Sequence, residues 1–372
     1  MLYMAGDNNL DYYMQRTLER IVWADDVRVV VLTDGPGAYD SKAIWGDGAD
    51  EFAEWGEVNM GDPETLRAFV AWAKASFPAR QYVLSIMDHG KATQGIAYDD
   101  RSAGDRLTAV EIKQALAHQP VTVLFEDACL MAEVSALYEI RDYADIVVAS
   151  ANLGWSVFIE NKIPGIIRAL PPTHSPADVG LGIAKAYAAE CSGYPYTVAV
   201  FDQSQIHKAL TPLKRLSEYE AALRVARKTV QRYDSQSEFL RLDANDDFVD
   251  VRDLLQVTSL QVAALSNDDA QLTPYQMIQN EIASMSSYVL YEDCRSGAAS
   301  GVQVNLNKAH GLAVYFPTVR QYAEYDDYVD GTLFPAFAAA CPEWLGIVEG
   351  ALGQEYTRLP LPESEVPPML AP

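Results

Sequence analysis

The chain is short of cysteine, histidine and positive charge. Its 372 residues hold four cysteines, Cys129, Cys191, Cys294 and Cys341, scattered with no C-x-x-C pair, and five histidines in no ligand spacing. That scarcity argues against a dense disulfide framework and against a structural zinc site. Lys and Arg number 28 against 52 Asp and Glu, a formal charge of -24. A surface of that sign repels phosphate backbones and anionic headgroups, so neither nucleic acid nor a membrane is an expected partner, whereas a cationic peptide is attracted. No apolar run is long enough to cross a bilayer, no Gly-rich loop cradles a phosphate, and no segment repeats.

What is present is an alternation of short apolar runs with amphipathic stretches. A strand ends near Met4, a helix runs from about Leu10 to Trp23, and Val27 to Leu32 is β-branched, which is already a βαβ order. The opening residues read as the end of a strand whose start was removed, and a secreted or extracytoplasmic protein is the expectation. Gly35 to Gly61 reads as a hairpin or ordered loop, and a helix opened by Pro63 follows. Tyr82 to Met87 is a strand, Gly90 to Leu107 a long polar linker, and Thr108 with Glu111 a capping box for a helix to about His118. Val121 to Phe125 is a strand, Ala132 to Tyr143 a helix and Ile146 to Ala149 a strand. Asp178 to Cys191 is helical and Tyr196 to Phe201 a strand. Fully apolar strands between helices predict a mostly parallel sheet covered on both faces. From Gln203 to about Tyr291 the pattern is helical, broken by carboxylates at 243–250. A strand at 311–316, a helix near 333–345 and a Pro-rich tail at 354–372 follow. The division expected is a catalytic core over 1–205 and a mainly helical region over 206–372.

Chemistry concentrates at two strand ends. The run to Met87 stops in Asp88-His89-Gly90, and the run to Phe125 stops in Glu126-Asp127-Ala128-Cys129. Open α/β sheets hold their ligands at carboxyl ends of strands, and a thiol and an imidazole there make a nucleophile and a base. His89 and Cys129 lie 40 residues apart, enough for one strand end, a crossover helix and the next strand end. A helix expected to begin directly after Cys129 would favour its thiolate. Asp88 precedes His89 on a strand and should point away from the imidazole. Another arrangement of the carboxylates, Asp7, Asp34 and Asp127 around a divalent ion, would suit a metal-dependent hydrolase.

The chain resembles the clostripain-type cysteine peptidases of the caspase-like clan. The resemblance rests on Tyr3 to Leu10, His89-Gly90, Asp127 to Ala132, Gly154-Trp155, Val249 to Val251 and Gly311 to Pro317. It implies a caspase-like three-layer αβα sandwich with a helical C-terminal region. It also implies a Cys129/His89 dyad that cleaves after Arg or Lys, with no cofactor needed for the chemistry. Gly90 and Cys129 would supply the oxyanion hole, and Asp127, Ser150 and Trp155 would contact substrate. Asn152 stands where relatives often carry an acidic residue. The relatives imply self-cleavage in the linker, here after Arg101 or Arg106. They also imply calcium, for which Asp99-Asp100 and Asp246-Asp247-Asp250 are candidates. Peptide or protein substrates with basic residues are the expected partners and a monomer the expected state. The alternative is an inactive peptide-binding or regulatory member of the same fold.

Overall fold

Each apolar run that stops in a polar residue becomes a strand in the computed structural model, which describes residues 1–23, 26–46, 52–233, 248–265, 272–299, 302–317 and 323–352. The carboxylates at 243–247 and the tail at 354–372 lie outside them. In chain order the first part comprises β1 (Leu2–Ala5), α1 (Asp11–Leu18), β2 (Val31–Asp34), β3 (Ser41–Ile44), β4 (Phe52–Gly56), α2 (Pro63–Ser76) and β5 (Val83–Met87). Then come β6 (Gly90–Lys91), β7 (Gly95–Asp99), β8 (Asp105–Leu107), α3 (Ala109–Leu116), β9 (Val121–Asp127), α4 (Val134–Glu139) and β10 (Ala144–Ala149). A single 3-10 turn (Ile159–Asn161) leads to α5 (Ile163–Ala169), α6 (Pro176–Glu190) and β11 (Tyr196–Asp202). The remainder is α7 (His207–Arg215), α8 (Glu220–Ala226), β12 (Phe248–Asp250), α9 (Val251–Ala264), α10 (Leu272–Ser284), β13 (Val289–Arg295), β14 (Gly297–Ala299), β15 (Val302–Val304), β16 (Ala313–Tyr315), α11 (Ala323–Val329), α12 (Pro335–Ala340) and α13 (Pro342–Leu352).

Nine strands form one sheet in the order β13-β11-β10-β9-β5-β1-β2-β3-β4. The five from β10 to β2 are mutually parallel, and the antiparallel pairs β11/β13 and β3/β4 widen its two edges. Alternation along β1 sends Tyr3 and Ala5 to the face covered by α2 and α3, while Leu2 and Met4 join Leu10 and Met14 on the other. The first face buries Leu66, Phe69 and Ile112 completely or nearly so, and each such side chain contributes about 1.5–3 kcal/mol on leaving water. The result is a three-layer αβα sandwich, the architecture expected of the chain. After β1 the chain adds β2 on one side, then returns to place β5 on the other. The loops after β1 and β5 therefore splay apart at a topological switch point, the crevice where such sheets bind ligands.

Three local expectations are corrected, and the late strand gains its partner. Residues 90–107 are no loose linker, because β6, β7 and β8 make an antiparallel sheet. Its strands are too short and polar to show period 2, yet Ile96, Ala97, Tyr98 and Leu107 are buried, and Asp99 accepts from Met60 N (2.9 Å) and Ser102 N (2.8 Å). The stretch to Tyr291 is not all helix, since β13 pairs with β11 and carries the main sheet across the expected division at 205. The strand at 313–315 stays out of that sheet and pairs with β12. The last helix is two, α12 and α13, separated at Cys341 by Pro342, which cannot continue a helix it follows.

Candidate active site

Three strand ends converge at the switch point: residues 6–10 after β1, 88–90 after β5 and 128–132 after β9. Parallel register sets Met87 beside Asp127, and Asp88 N donates to Asp127 O at 3.4 Å. His89 and Cys129 thereby arrive on adjacent ends. A side chain on Gly90 would meet Ala128 Cβ at 2.7 Å and Met131 Sδ at 2.8 Å, so glycine is what lets these two segments touch. The expected helix start at Cys129 is not there. Leu130 takes φ 57, a left-handed value that costs a non-glycine residue roughly 1–2 kcal/mol and is common where a backbone is bent to present a reactive group. The helix begins only at Val134, with Glu133 as its cap.

A turn from far along the chain takes over the helix's role. Leu130 N donates to Asn152 O at 2.8 Å, and Gly154 N donates to the Cys129 sulfur at 3.2 Å. Sequence reasoning singled out Gly154 only as part of a motif, with no sign that its amide faces the thiol. Cys129 and His89 are 1% and 0% exposed. Burial pushes the thiol up to about 12, opposed by the Gly154 amide, and pushes the imidazole down to about 3. At neutral pH this closed site therefore holds a neutral thiol and a neutral imidazole. Asp88 does turn from the imidazole: it accepts from Asn8 Nδ2 at 2.8 Å and from the amide of Tyr98. His89 Nε2 instead meets Asn9 Oδ1 at 2.6 Å.

Asp127 projects to the α6 side of the sheet, the side of its neighbour Met87. Its carboxyl is in hydrogen-bonding contact with Glu160, which also accepts from Ser85 Oγ at 3.0 Å. Burial raises both carboxyls, and the proximity of Glu160 raises Asp127 further. Asp127 Oδ2 and Glu160 Oε2 have no hydrogen-bond partner, and one proton shared between the two carboxyls would satisfy both. Glu160 had no signal in the sequence, being one carboxylate in a polar turn. Ser150 bonds Thr197 Oγ1 at 2.9 Å and steadies the 150–154 turn. The Trp155 indole stacks on Tyr194 at 4.6 Å and donates to Pro195 O at 2.6 Å. Asn152 donates to Tyr233 O. Arg101 lies exposed in the turn between β7 and β8, bonded to Glu57 Oε1 at 3.0 Å, whereas Arg106 lies in β8 with its guanidinium on Gln94 O at 2.6 Å.

A second cluster sits beside the first. Asp7, Asp34 and Asp99, from the ends of β1, β2 and β7, bring carboxylate oxygens within 4.8 Å of one another. All three are buried, and Asp34 Oδ2 has no hydrogen-bond partner. Burial pushes Asp7 up to about 6 and Asp34 up to about 7, each raised further by the Asp99 charge. Converging hard oxygens with an unsatisfied member fit a divalent cation such as calcium. Asp99 belongs to this group together with Asp7 and Asp34 from the alternative trio, while Asp127 lies with Glu160. Asp250 is instead fully engaged by Tyr233 Oη (2.6 Å), Asp253 N (2.7 Å) and His310 N (2.7 Å), and Asp246-Asp247 lie outside the described residues. The cysteines are free, and among the described residues no helix is long and apolar enough to cross a membrane.

Comparison with known proteins places this geometry. The model of the clostripain family, C11 peptidases, matches residues 2–341. Clostripain of Hathewaya histolytica is 29% identical over 232 residues, 49% of this chain. That match spans 44% of the relative's own length. A secreted C11 cysteine protease from Bacteroides thetaiotaomicron, solved with an irreversible peptide inhibitor, superposes with a TM-score of 0.65 at 17% identity, covering 91% of this chain and 97% of that one. An inactive zymogen C11 protease from Parabacteroides distasonis gives a TM-score of 0.64 at 19% identity, covering 93% and 96%. These two show that the fold is shared.

Proposed function

Because the chain belongs to the clostripain family, we propose that it is a cysteine endopeptidase in which Cys129 is the nucleophile, His89 the proton carrier and Arg or Lys the residue before the cut. The observation that carries this reading is the arrival of His89 and Cys129 on adjacent strand ends at the switch point, with the Gly154 amide on the sulfur. The Cys129 proton passes to His89 as sulfur attacks the scissile carbonyl. The amides of Gly90 and Cys129 receive the oxyanion, and His89 returns its proton to the leaving amine. Water then cleaves the thioester. Asp127 and Glu160 offer a cationic side chain two carboxyls in exchange for a proton shared between them. Glu160 thereby supplies the acidic partner that Asn152 does not.

The complete burial of both reacting residues supports a resting form that must open. Arg101, in the exposed turn, is the cut site we favour, since Arg106 is held in β8. Calcium at Asp7, Asp34 and Asp99 would fix the ends of β1, β2 and β7 without entering the chemistry. A secreted setting, like that of the Bacteroides thetaiotaomicron protease, suits the same reading. A fluorogenic peptide panel that varies the residue before the cut tests class and specificity together. Turnover confined to Arg and Lys peptides and absent in Cys129→Ala supports the reading, and equal turnover in the mutant sinks it. Incubation of the protein beside Cys129→Ala on a denaturing gel tests the cut at Arg101.

A further inference from the structure

Asn9 is the residue whose position the function has not yet used. Its neighbour Asn8 is fastened on three sides, through Nδ2 to Ala5 O at 3.2 Å, Asp88 Oδ1 at 2.8 Å and Tyr98 O at 3.0 Å. Its Oδ1 accepts from Leu10 N at 2.9 Å. The loop after β1 is thus tied to Asp88, the residue before the histidine, and to the sheet that follows it. On that anchored loop Asn9 is exposed, yet its side chain reaches the buried imidazole. A carboxamide oxygen only accepts, so a 2.6 Å contact to Nε2 requires the ring hydrogen to be on Nε2. Nδ1 is left with the lone pair.

We infer that Asn9 is the positioning residue of the dyad, holding neutral His89 in the Nε2–H tautomer so that Nδ1 receives the Cys129 proton and later delivers it to the leaving amine. This rests on the dyad reading above. The proton balance follows directly: the S–H bond breaks, an Nδ1–H bond forms, and the Nε2–H bond persists throughout. As the ring becomes an imidazolium, its Nε2–H is a stronger donor, so the bond to Asn9 strengthens as charge develops and favours the reacting state over the resting one. Asp88 cannot take this part, because its carboxyl is occupied by Asn8 and Tyr98.

The test uses the full chain with Asn9→Ala, Asn9→Leu and Asn9→Asp. Asn9 is exposed and lies outside helices and strands, so all three should unfold at the parent temperature. A proton-transfer group contributes about 100- to 10,000-fold, and losing its orientation should forfeit about 10- to 100-fold of kcat with KM changed less than about twofold. Asn9→Asp keeps an acceptor of the same length and should retain kcat within about threefold. Histidine 15N NMR adds a readout that loop packing would not move: the His89 signals should show Nε2–H in the parent and in Asn9→Asp, and mixed tautomers in Asn9→Ala. Parent kcat and parent tautomer in Asn9→Ala would overturn the inference, as would equal losses in all three variants with lowered unfolding temperatures. If Cys129→Ala and His89→Ala were inactive while Asn9→Ala was normal, only this inference would fall; if Cys129→Ala stayed active, the dyad itself would.

Discussion

Gly154→Ala puts a close backbone approach in the site under direct strain. An added Cβ would stand 2.8 Å from the Ala128 carbonyl carbon, 3.0 Å from its oxygen and 3.1 Å from Cys129 N. Carbon atoms prefer separations of about 3.5–4.0 Å, so the carbon contact alone demands a shift of roughly 0.7 Å. All three neighbours are backbone atoms of the loop at 128–129 and have no rotamer with which to yield. Overpacking of this kind costs about 1–3 kcal/mol, or about 2–4 °C in unfolding temperature per kcal/mol for a domain of a few hundred residues. The same shift lengthens the 3.2 Å bond from Gly154 N to the sulfur, and misplacement on the ångström scale can cost about 100-fold in rate. We expect Gly154→Ala to unfold several degrees early, with kcat reduced more than about tenfold and Cys129 alkylated by iodoacetamide at an altered rate. Gly165→Ala is the control: its Cβ meets nothing within 4 Å, and in α5 alanine should be neutral or stabilise by up to about 1 kcal/mol. A Gly154→Ala protein with the parent's unfolding temperature, turnover and alkylation rate would refute the close-approach argument.

Cys129→Ala should abolish peptidase turnover while lowering the unfolding temperature by only a few degrees, since one small thiol leaves little cavity. Asp127→Asn should reduce kcat/KM for Arg and Lys peptides by at least about tenfold, with Glu160→Gln acting in the same direction; a peptide panel with unchanged preference in both would assign the selectivity elsewhere. Calcium should raise the unfolding temperature more at pH 8 than at pH 5. Asp7 and Asp34 hold protons up to about 6 and about 7 in the folded chain, against roughly 4 when unfolded. The native state therefore binds more protons between those values, so stability without the cation falls as pH rises through that window and levels above it. The cation replaces those protons, so its stabilisation grows over the same range. Thermal scans with calcium or chelator that show no pH-dependent difference would remove the cation site.

Much of this molecule is written locally. Apolar runs stopping at Met4, Met87 and Phe125 announce parallel strands, because a strand buried on both faces has no polar alternation. Thr108 and Glu111 announce a capping box that is present in full. The spacing of His89 and Cys129 suffices to place them on neighbouring strand ends. Periodicity reports which faces leave water, but not which distant polar atoms then meet. Glu160 against Asp127, the Gly154 amide under the Cys129 sulfur, Asn9 on His89 and the convergence of Asp7, Asp34 and Asp99 join residues 25 to 92 positions apart. Each depends on loops arriving at one sheet edge. The small sheet at 90–107 was hidden for the opposite reason: its strands are too short for a period to register, and its polar side chains are satisfied by backbone amides that only the folded chain brings near. Sequence alone determined the layers and set His89 and Cys129 at neighbouring strand ends. The tertiary structure decided the environment that sets their protonation, because desolvation and hydrogen bonding act through space rather than along the chain.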